Sequence, residues 1–522
     1  MISTLKTETL TATSSQKKQR SFLPIILLVS LLLRVYQLGT ESVWIDEHFS
    51  IVDARNLDLG TRPLYYLLLH GWMQVGQNDS WLRALSIPFG LGCVLLTYLL
   101  GRRLLSQSAG IVAAIMVALS PLFVGYSQQI RMYSLSTCLG LWGTLLLVKL
   151  LQTQKGIRLT NVIGWLVARL LAVMTTPLNV MLPLPDAVLV LWRFRRDRRV
   201  IVSFVIALAL VGVIWLPFAR ALQEALPQFL GGWVAHQPKP GPIRMAALLT
   251  GLIAFWPTSD LSSLRDIPLN ISTWGHKDIE FVFYMLFTIV LVSVLSVGMW
   301  KMVTASRQFV RPERWWLMMW AFLPTIVIAG VSWMSGSIWR ERYLMFVAPY
   351  AILLIAAGIC YLWRHYRRGA IALAILYGIA IGGGLGHYYT TLYHDDWRGI
   401  AALIESREQP SDVIGFYGWE WEDPQLTVPR YYEGEAPFYV MSKQSIPPLP
   451  QESEAADRFI QDMLQNLPPT ESQYWLVYYE PSSLKRQRLR EAIEQRFEVK
   501  DRQEFYNSVN AELHVYQVAP IR

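Results

Sequence analysis

Val43-Trp44-Ile45-Asp46-Glu47-His48-Phe49-Ser50 places an acid pair and a histidine just past the first long apolar run, Phe22 to Leu38, whose one charge, Arg34, lies near its far end. Two carboxylates held where a chain leaves a bilayer are costly unless they have a partner or a task. Worked outward from this stretch, the chain reads as a membrane-embedded enzyme with Asp46 as its reactive group. The rest of the chain then supplies the lipid groove, the cations and the walls.

The composition agrees. Of 522 residues, 53% are hydrophobic and only 16% charged, against roughly 25% charged in ordinary soluble proteins. Many apolar runs approach the ~20 residues that span a bilayer. Candidate spans are 22–38, 81–101, 109–126, 131–150, 160–176, 178–194, 201–218, 281–300, 315–333, 343–363 and 370–386. With eleven spans, the basic clusters at Lys17–Arg20, Arg102/Arg103, Lys149–Arg158, Arg193–Arg199, Lys301–Arg314 and Arg364–Arg368 all fall on the cytoplasmic side, as the positive-inside rule requires. The expected architecture is therefore a polytopic α-helical membrane protein. It has a cytoplasmic tail over 1–21, a transmembrane domain over 22–386 and a soluble extracytoplasmic domain over 387–522.

Charge separates the two main parts. His387 to Arg522 carries 13 Lys and Arg against 22 Asp and Glu, while the preceding residues carry 34 against 16. The positive charge has its source in cytoplasmic loops, so no nucleic-acid partner is expected. In the acidic tail, 412–417, 474–479 and 513–518 read as strands, and 397–408 and 484–497 as helices, which predicts a small α/β domain. Cys93, Cys138 and Cys360 all lie in apolar runs and predict neither a disulfide framework nor a zinc cluster.

Four segments face outward in this topology. The first, 39–80, holds Trp44, Asp46 and Glu47, followed by Thr61-Arg62-Pro63-Leu64-Tyr65-Tyr66 and His70. A proline there starts a short helix expected along the interface, with Arg62 and His70 as its polar candidates. The second is the polar turn Tyr126-Ser127-Gln128-Gln129-Ile130-Arg131. The third is the long loop 219–280, whose run Met245 to Trp256 is too short to span and is expected as an interfacial or re-entrant helix. The fourth holds Trp339-Arg340-Glu341-Arg342-Tyr343. The fork of an arginine matches phosphate oxygens, and each of these arginines also suits headgroup anchoring. On the doublet alone, Asp46 and Glu47 also read as a helix cap or as partners of Arg55 or Arg62.

Taken together, these pieces resemble the C-type membrane glycosyltransferases that use polyprenyl-phosphate sugars. Within them the likeness is to the bacterial protein-mannosyltransferase-like and aminoarabinose-transferase-like branch of glycosyltransferase family 39. It is carried by Trp44-Ile45-Asp46-Glu47, Pro63-Leu64-Tyr65-Tyr66-Leu67-Leu68-Leu69-His70, Arg83-Ala84-Leu85-Ser86, Tyr126-Ser127-Gln128 with Arg131-Met132-Tyr133, and Arg342-Tyr343. The chain departs from the family with Thr61-Arg62-Pro63 in place of His-Pro-Pro, and with Gln129 where Glu is frequent.

The resemblance implies a C-type fold and an acidic base in the first outer loop, which maps onto Asp46 with Glu47 assisting. It implies Arg131, then Arg342, Arg340 and Arg62, on the donor phosphate. Trp44, Tyr65, His70, Tyr126, Gln129 and Tyr343 would line the substrate pocket. A divalent metal ion is a candidate cofactor, with Asp46 and Glu47 its candidate ligands. The implied partners are a polyprenyl-phosphate sugar, membrane lipids and a lipid, glycan or protein acceptor, at a cell inner membrane. The rival expectation is a non-enzymatic lipid or solute transporter. That would place ionisable groups near the bilayer midplane, where Arg169 and Asp186 are the main candidates.

Overall fold

The computed structural model describes residues 22–153, 159–231, 238–254, 276–307, 312–392, 394–418, 424–442, 444, 446, 453–480, 482–505 and 513–520. The tail 1–21, and 232–237 and 255–275 of the long outer loop with His236, lie outside them. The chain divides into two compact units. One holds the residues up to Leu38 together with Asp53–Tyr388. The other holds Gly39–Val52 together with Tyr389–Arg522. The acid pair thus groups with the C-terminal unit, and the division runs through a single helix, Ile45–Asn56.

The first unit is helical. Among the described residues six helices are long and apolar enough to cross a membrane, spanning Asp79–Leu104, Tyr133–Leu151, Arg198–Glu224, Phe281–Lys301, Glu313–Met334 and Arg367–Thr390. Shorter apolar helices occupy Phe22–Val35, Gln107–Leu119 and Leu159–Thr175. The expected span 178–194 is a 3₁₀ turn, Pro177–Met181, followed by the helix Pro183–Phe194. The expected span 343–363 is the helix Ala348–His365. This is a multi-pass membrane protein.

Two crossings show how the bundle closes. His276–Arg307 meets Ala348–His365 at Gly298 and Gly358. A Cβ on Gly298 would lie 2.1 Å from the Leu354 carbonyl oxygen, and one on Gly358 would lie 2.3 Å from that of Val294. Only glycine permits so close an approach of two backbones. The short helix Pro242–Ile253 is not laid on a surface. Ala247 to Ile253 are buried, Thr250 hydrogen-bonds Thr288 at 2.6 Å, and Tyr284 donates to the Ala247 carbonyl at 2.7 Å.

The second unit carries a five-stranded sheet of β1 (Val413–Tyr417), β2 (Phe438–Ser442), β3 (Tyr474–Tyr479), β4 (Phe497–Phe505) and β5 (Leu513–Pro520). The order is β2-β1-β3-β5-β4. β1 is parallel to β2 and β3, while β5 is antiparallel to β3 and β4. Alternation along β3 sends Tyr474, Leu476 and Tyr478 to one core, with Ser453–Gln465 and Ser483–Arg496, and Trp475 and Val477 to the other, with Trp397–Glu405. The two strands unread in the sequence, β2 and β4, are the edges. β4 reads Phe-Glu-Val-Lys-Asp-Arg-Gln-Glu-Phe, the charged face by which an edge avoids pairing with another chain.

Candidate functional site

In the second unit, the segment 39–52 is seated by its own hydrogen bonds. The Val43 N–H donates to the Tyr431 hydroxyl at 2.7 Å, the Arg398 N–H to Ser42 Oγ at 3.1 Å, and the Arg398 guanidinium to the Gly39 carbonyl at 2.7 Å. Trp44 stacks on His394 with ring centroids 4.8 Å apart. Glu47 is fully buried, and its carboxylate accepts from the Trp44 N–H at 3.4 Å. Trp44 precedes the first helical residue and Glu47 is the third, so this is the back-reaching half of a capping box. Glu47 therefore closes the helix start. Asp46, beside it, is half-buried; its backbone carbonyl accepts from Ser50 Oγ at 3.0 Å.

Asp53 stands seven residues after Asp46 in the chain, in the last turn of Ile45–Asn56. It belongs to the first unit, where it opens a polar group near the ends of the helices. Asp53 is hydrogen-bonded to Tyr66, and Arg62 donates to the same Tyr66 hydroxyl at 3.0 Å. Arg131, Arg62, Asp53 and Tyr66 lie within electrostatic reach of one another. Arg131 is buried and lies 5.8 Å from the centre of the Tyr133 ring. Tyr133 packs edge-on against Tyr126 at 4.9 Å, and Tyr126 lies within reach of Arg342, Glu341 and Tyr343. Arg342 sits over the Tyr343 ring at 5.1 Å, and Arg340 adjoins Glu341. Four arginines from three distant stretches of chain are thus linked through a row of tyrosines.

Their electrostatics follow from burial. Burial lifts the Asp53 carboxyl above its ordinary 3.8, with the Tyr66 hydrogen bond and the charges of Arg62 and Arg131 pulling the other way. Burial also lifts Glu341, opposed by a backbone N–H and by Arg340 and Arg342. It pulls Arg340 down. Guanidiniums gathered in this way suit an anion with several oxygens.

Other sequence candidates have different employment. His70 Nδ1 is 2.9 Å from the Ala54 carbonyl, tying Pro63–Met73 to the end of Ile45–Asn56. Tyr65 and Gln129 are buried, and the Gln129 carbonyl accepts from Ser86 Oγ at 2.7 Å. The neighbouring Gln128 bridges Tyr388, whose hydroxyl donates to it at 2.7 Å, and the Tyr36 carbonyl, also at 2.7 Å. Asp53, Tyr66, Tyr133 and Glu341 are members that sequence reasoning missed. The seven-residue spacing from Asp46 to Asp53 was the available signal.

Deeper in the bundle, Arg169 and Asp186 form an ion pair at 2.7 Å with both side chains fully buried. Trp165 and Trp320 each donate to Asp186 at 2.8 Å. Arg169 also donates to the Gly140 carbonyl at 2.7 Å and to Thr144 Oγ1 at 2.8 Å. The pair that a carrier would offer to cargo is closed upon itself. Among the described residues no three His, Cys, Asp or Glu side chains gather to hold a metal ion, and Glu47 is turned back onto its own helix.

Residues 61–219 match the family described as dolichyl-phosphate-mannose-protein mannosyltransferase. No curated protein sequence matches. Among solved structures, ArnT from Cupriavidus metallidurans bound to undecaprenyl phosphate is similar with a TM-score of 0.55 at 14% identity, over 95% of this chain and 98% of that one. Its apo state gives 0.54 at 14% identity over the same shares. The Archaeoglobus fulgidus oligosaccharyltransferase complexed with zinc and sulfate gives 0.50 at 13%, over 88% of this chain and 67% of that one. The fold is that of the C-type membrane glycosyltransferases, ending in a small domain with a mixed sheet.

Proposed function

We propose that this chain transfers a sugar from a polyprenyl-phosphate donor to a lipid, glycan or protein acceptor at the outer face of a cell inner membrane, with the domain over 387–522 on that same side. The observation that carries this reading is the gathering of Arg62, Arg131, Arg340 and Arg342 around Tyr66, Tyr126 and Tyr133. A prenyl phosphate needs charge stabilisation as it leaves more than it needs a proton, and guanidiniums provide that. The solved ArnT of like fold binds undecaprenyl phosphate, which is the same class of lipid.

In the proposed reaction the acceptor's hydroxyl or amine attacks the anomeric carbon from the side opposite the phosphate. A new bond forms there, the bond from the sugar to the phosphate oxygen breaks, and configuration inverts. The bonding pair leaves with the polyprenyl phosphate, held by Arg131 and Arg342 with Arg340 and Arg62 flanking. The acceptor's proton passes to Asp46. Trp44, Tyr65 and Tyr343 are proposed as pocket walls.

The test is sugar transfer from radiolabelled polyprenyl-phosphate mannose, glucose, galactose and aminoarabinose in membranes holding the wild type or Asp46→Asn, at equal protein levels. Label transferred by the wild type and lost in the variant is expected. Transfer undiminished in Asp46→Asn would remove Asp46 as base, and no transfer from any donor would sink the reading.

A further inference from the structure

A second cationic site lies at the other end of the bundle. The helix Ala348–His365 begins just after Arg342 and Tyr343 and ends at Arg364 and His365. Its 18 residues separate its two ends by about 27 Å at 1.5 Å per residue. At the far end is a cavity of about 460 Å³. Its walls are the ends of that helix and of His276–Arg307, the 3₁₀ turn Pro312–Trp315, and the link between Ile87–Leu104 and Gln107–Leu119.

Lys301, Arg314 and Arg364 line this cavity with His365, and no Asp or Glu is among its lining residues. The Lys301 ammonium is 4.1 Å from the Trp300 ring centre and 4.0 Å from that of Tyr361. Tyr361 in turn stacks on His365 at 4.2 Å. The cation is therefore held over a layered aromatic shelf. The crossing of Gly298 and Gly358 lies one turn further in, three residues before Lys301 and before Tyr361, and fixes the distance between the walls. Leu105, Ala109 and Ala357 add an apolar side.

Three permanent cations facing one cavity repel one another, and an anion between them reverses the sign of that energy. The size falls in the range of small-molecule sites. A basic pocket between membrane helices, with an apolar wall beside it, has the chemistry that takes a phospholipid head group.

We propose that this cavity binds a phosphate-bearing anion, carried either by an anionic lipid or free in solution. Lys301 and Arg364 grip the phosphate, Arg314 backs it, and the apolar wall receives the start of an acyl chain when a lipid is the source. The site is separate from the outer arginines and does not depend on the reading given to them.

The test uses the full-length protein in detergent, with native mass spectrometry and thermal melting. The probes are phosphatidylglycerol, phosphatidylcholine and inorganic phosphate. Phosphatidylglycerol should bind and raise the melting temperature, and phosphatidylcholine should not. The double variant Lys301→Gln, Arg364→Gln should weaken phosphatidylglycerol binding at least tenfold, while Lys301→Arg with Arg364→Lys retains it. If inorganic phosphate reproduces the shift with the same dependence on both residues, the source is a soluble anion. Melting of each variant without additive controls for folding. Should the double variant fail to fold, Lys301→Gln alone is measured, and several-fold weaker binding is expected. Phosphatidylglycerol held equally by wild type and glutamine variants, or no binding of either anion, would overturn the proposal.

Discussion

Arg169 directs its guanidinium at Asp186, Gly140 and Thr144, all inside one unit and all buried. Arg62, Arg131, Arg340 and Arg342 gather instead round tyrosines, with Asp53 and Glu341 beside them. The two groups contain the same residue type and differ in what surrounds it. A buried guanidinium bonded to a carboxylate, a carbonyl and a hydroxyl holds helices in register. Several guanidiniums gathered round tyrosines have the chemistry to meet an anion. The difference teaches that an arginine in a membrane protein is informative only once its partners are counted.

Substitutions should tell the two groups apart. Asp186→Ala should have the largest effect. It leaves Arg169 buried without its carboxylate, which typically costs about 3–5 kcal/mol, so little folded protein should survive detergent extraction. Arg169→Leu with Asp186→Leu together should be milder than either alone, measured by melting of the purified protein. An additive result would mean that the two residues do not act as a pair.

Arg131→Ala should behave in the opposite way. Removing one preorganised charge from a developing anion costs about 10²–10³ in rate, so transfer should fall by that factor while the melting temperature moves far less than in Asp186→Ala. Arg131→Lys should recover part of the activity and not all, because an ammonium lacks the two-pronged geometry. Equal collapse of folding in Arg131→Ala and Asp186→Ala would erase the distinction between the groups. Arg342→Gln, at the rim, should lose about tenfold, equivalent to about 1.4 kcal/mol, read as transfer at limiting donor.

Asp53→Asn gives the smallest and most specific effect. Burial raises the Asp53 pKa, so its ionised form carries a folding cost that is absent below the ordinary value of 3.8 and grows as pH rises through the folded value. Asparagine never carries that cost. The wild type should therefore gain stability relative to Asp53→Asn as pH falls from neutral toward 4. A difference in melting temperature independent of pH over that range would mean that Asp53 does not titrate there.

Much of this was legible in the sequence. The apolar runs located the helices because a span needs about 20 residues whatever its neighbours. Strands β1, β3 and β5 announced themselves by runs buried on both faces. β2 and β4 did not: β4 is broken up by the charges that suit an edge, and the apolar run of β2 is only four residues, Phe438 to Met441. Arg62, Arg131 and Arg342 were readable as loop charges. Their assembly was not, since Arg62 and Arg342 lie 280 residues apart and only packing brings each to the tyrosine row. Arg169 and Asp186 registered as defects in two apolar runs, and pairing explains both at once.

The segment 39–52 has a consequence for how the chain is made. Val43 hydrogen-bonds a tyrosine 388 residues later. At the about 5–20 residues per second of ribosomal synthesis, this segment waits about 20–80 s for that partner to emerge. The helices between them enter the membrane during that interval. The C-terminal unit therefore cannot complete itself until translation is nearly over. A gene for residues 389–522 alone encodes a product short of one native segment, and supplying 39–52 as a separate peptide is the simplest complementation.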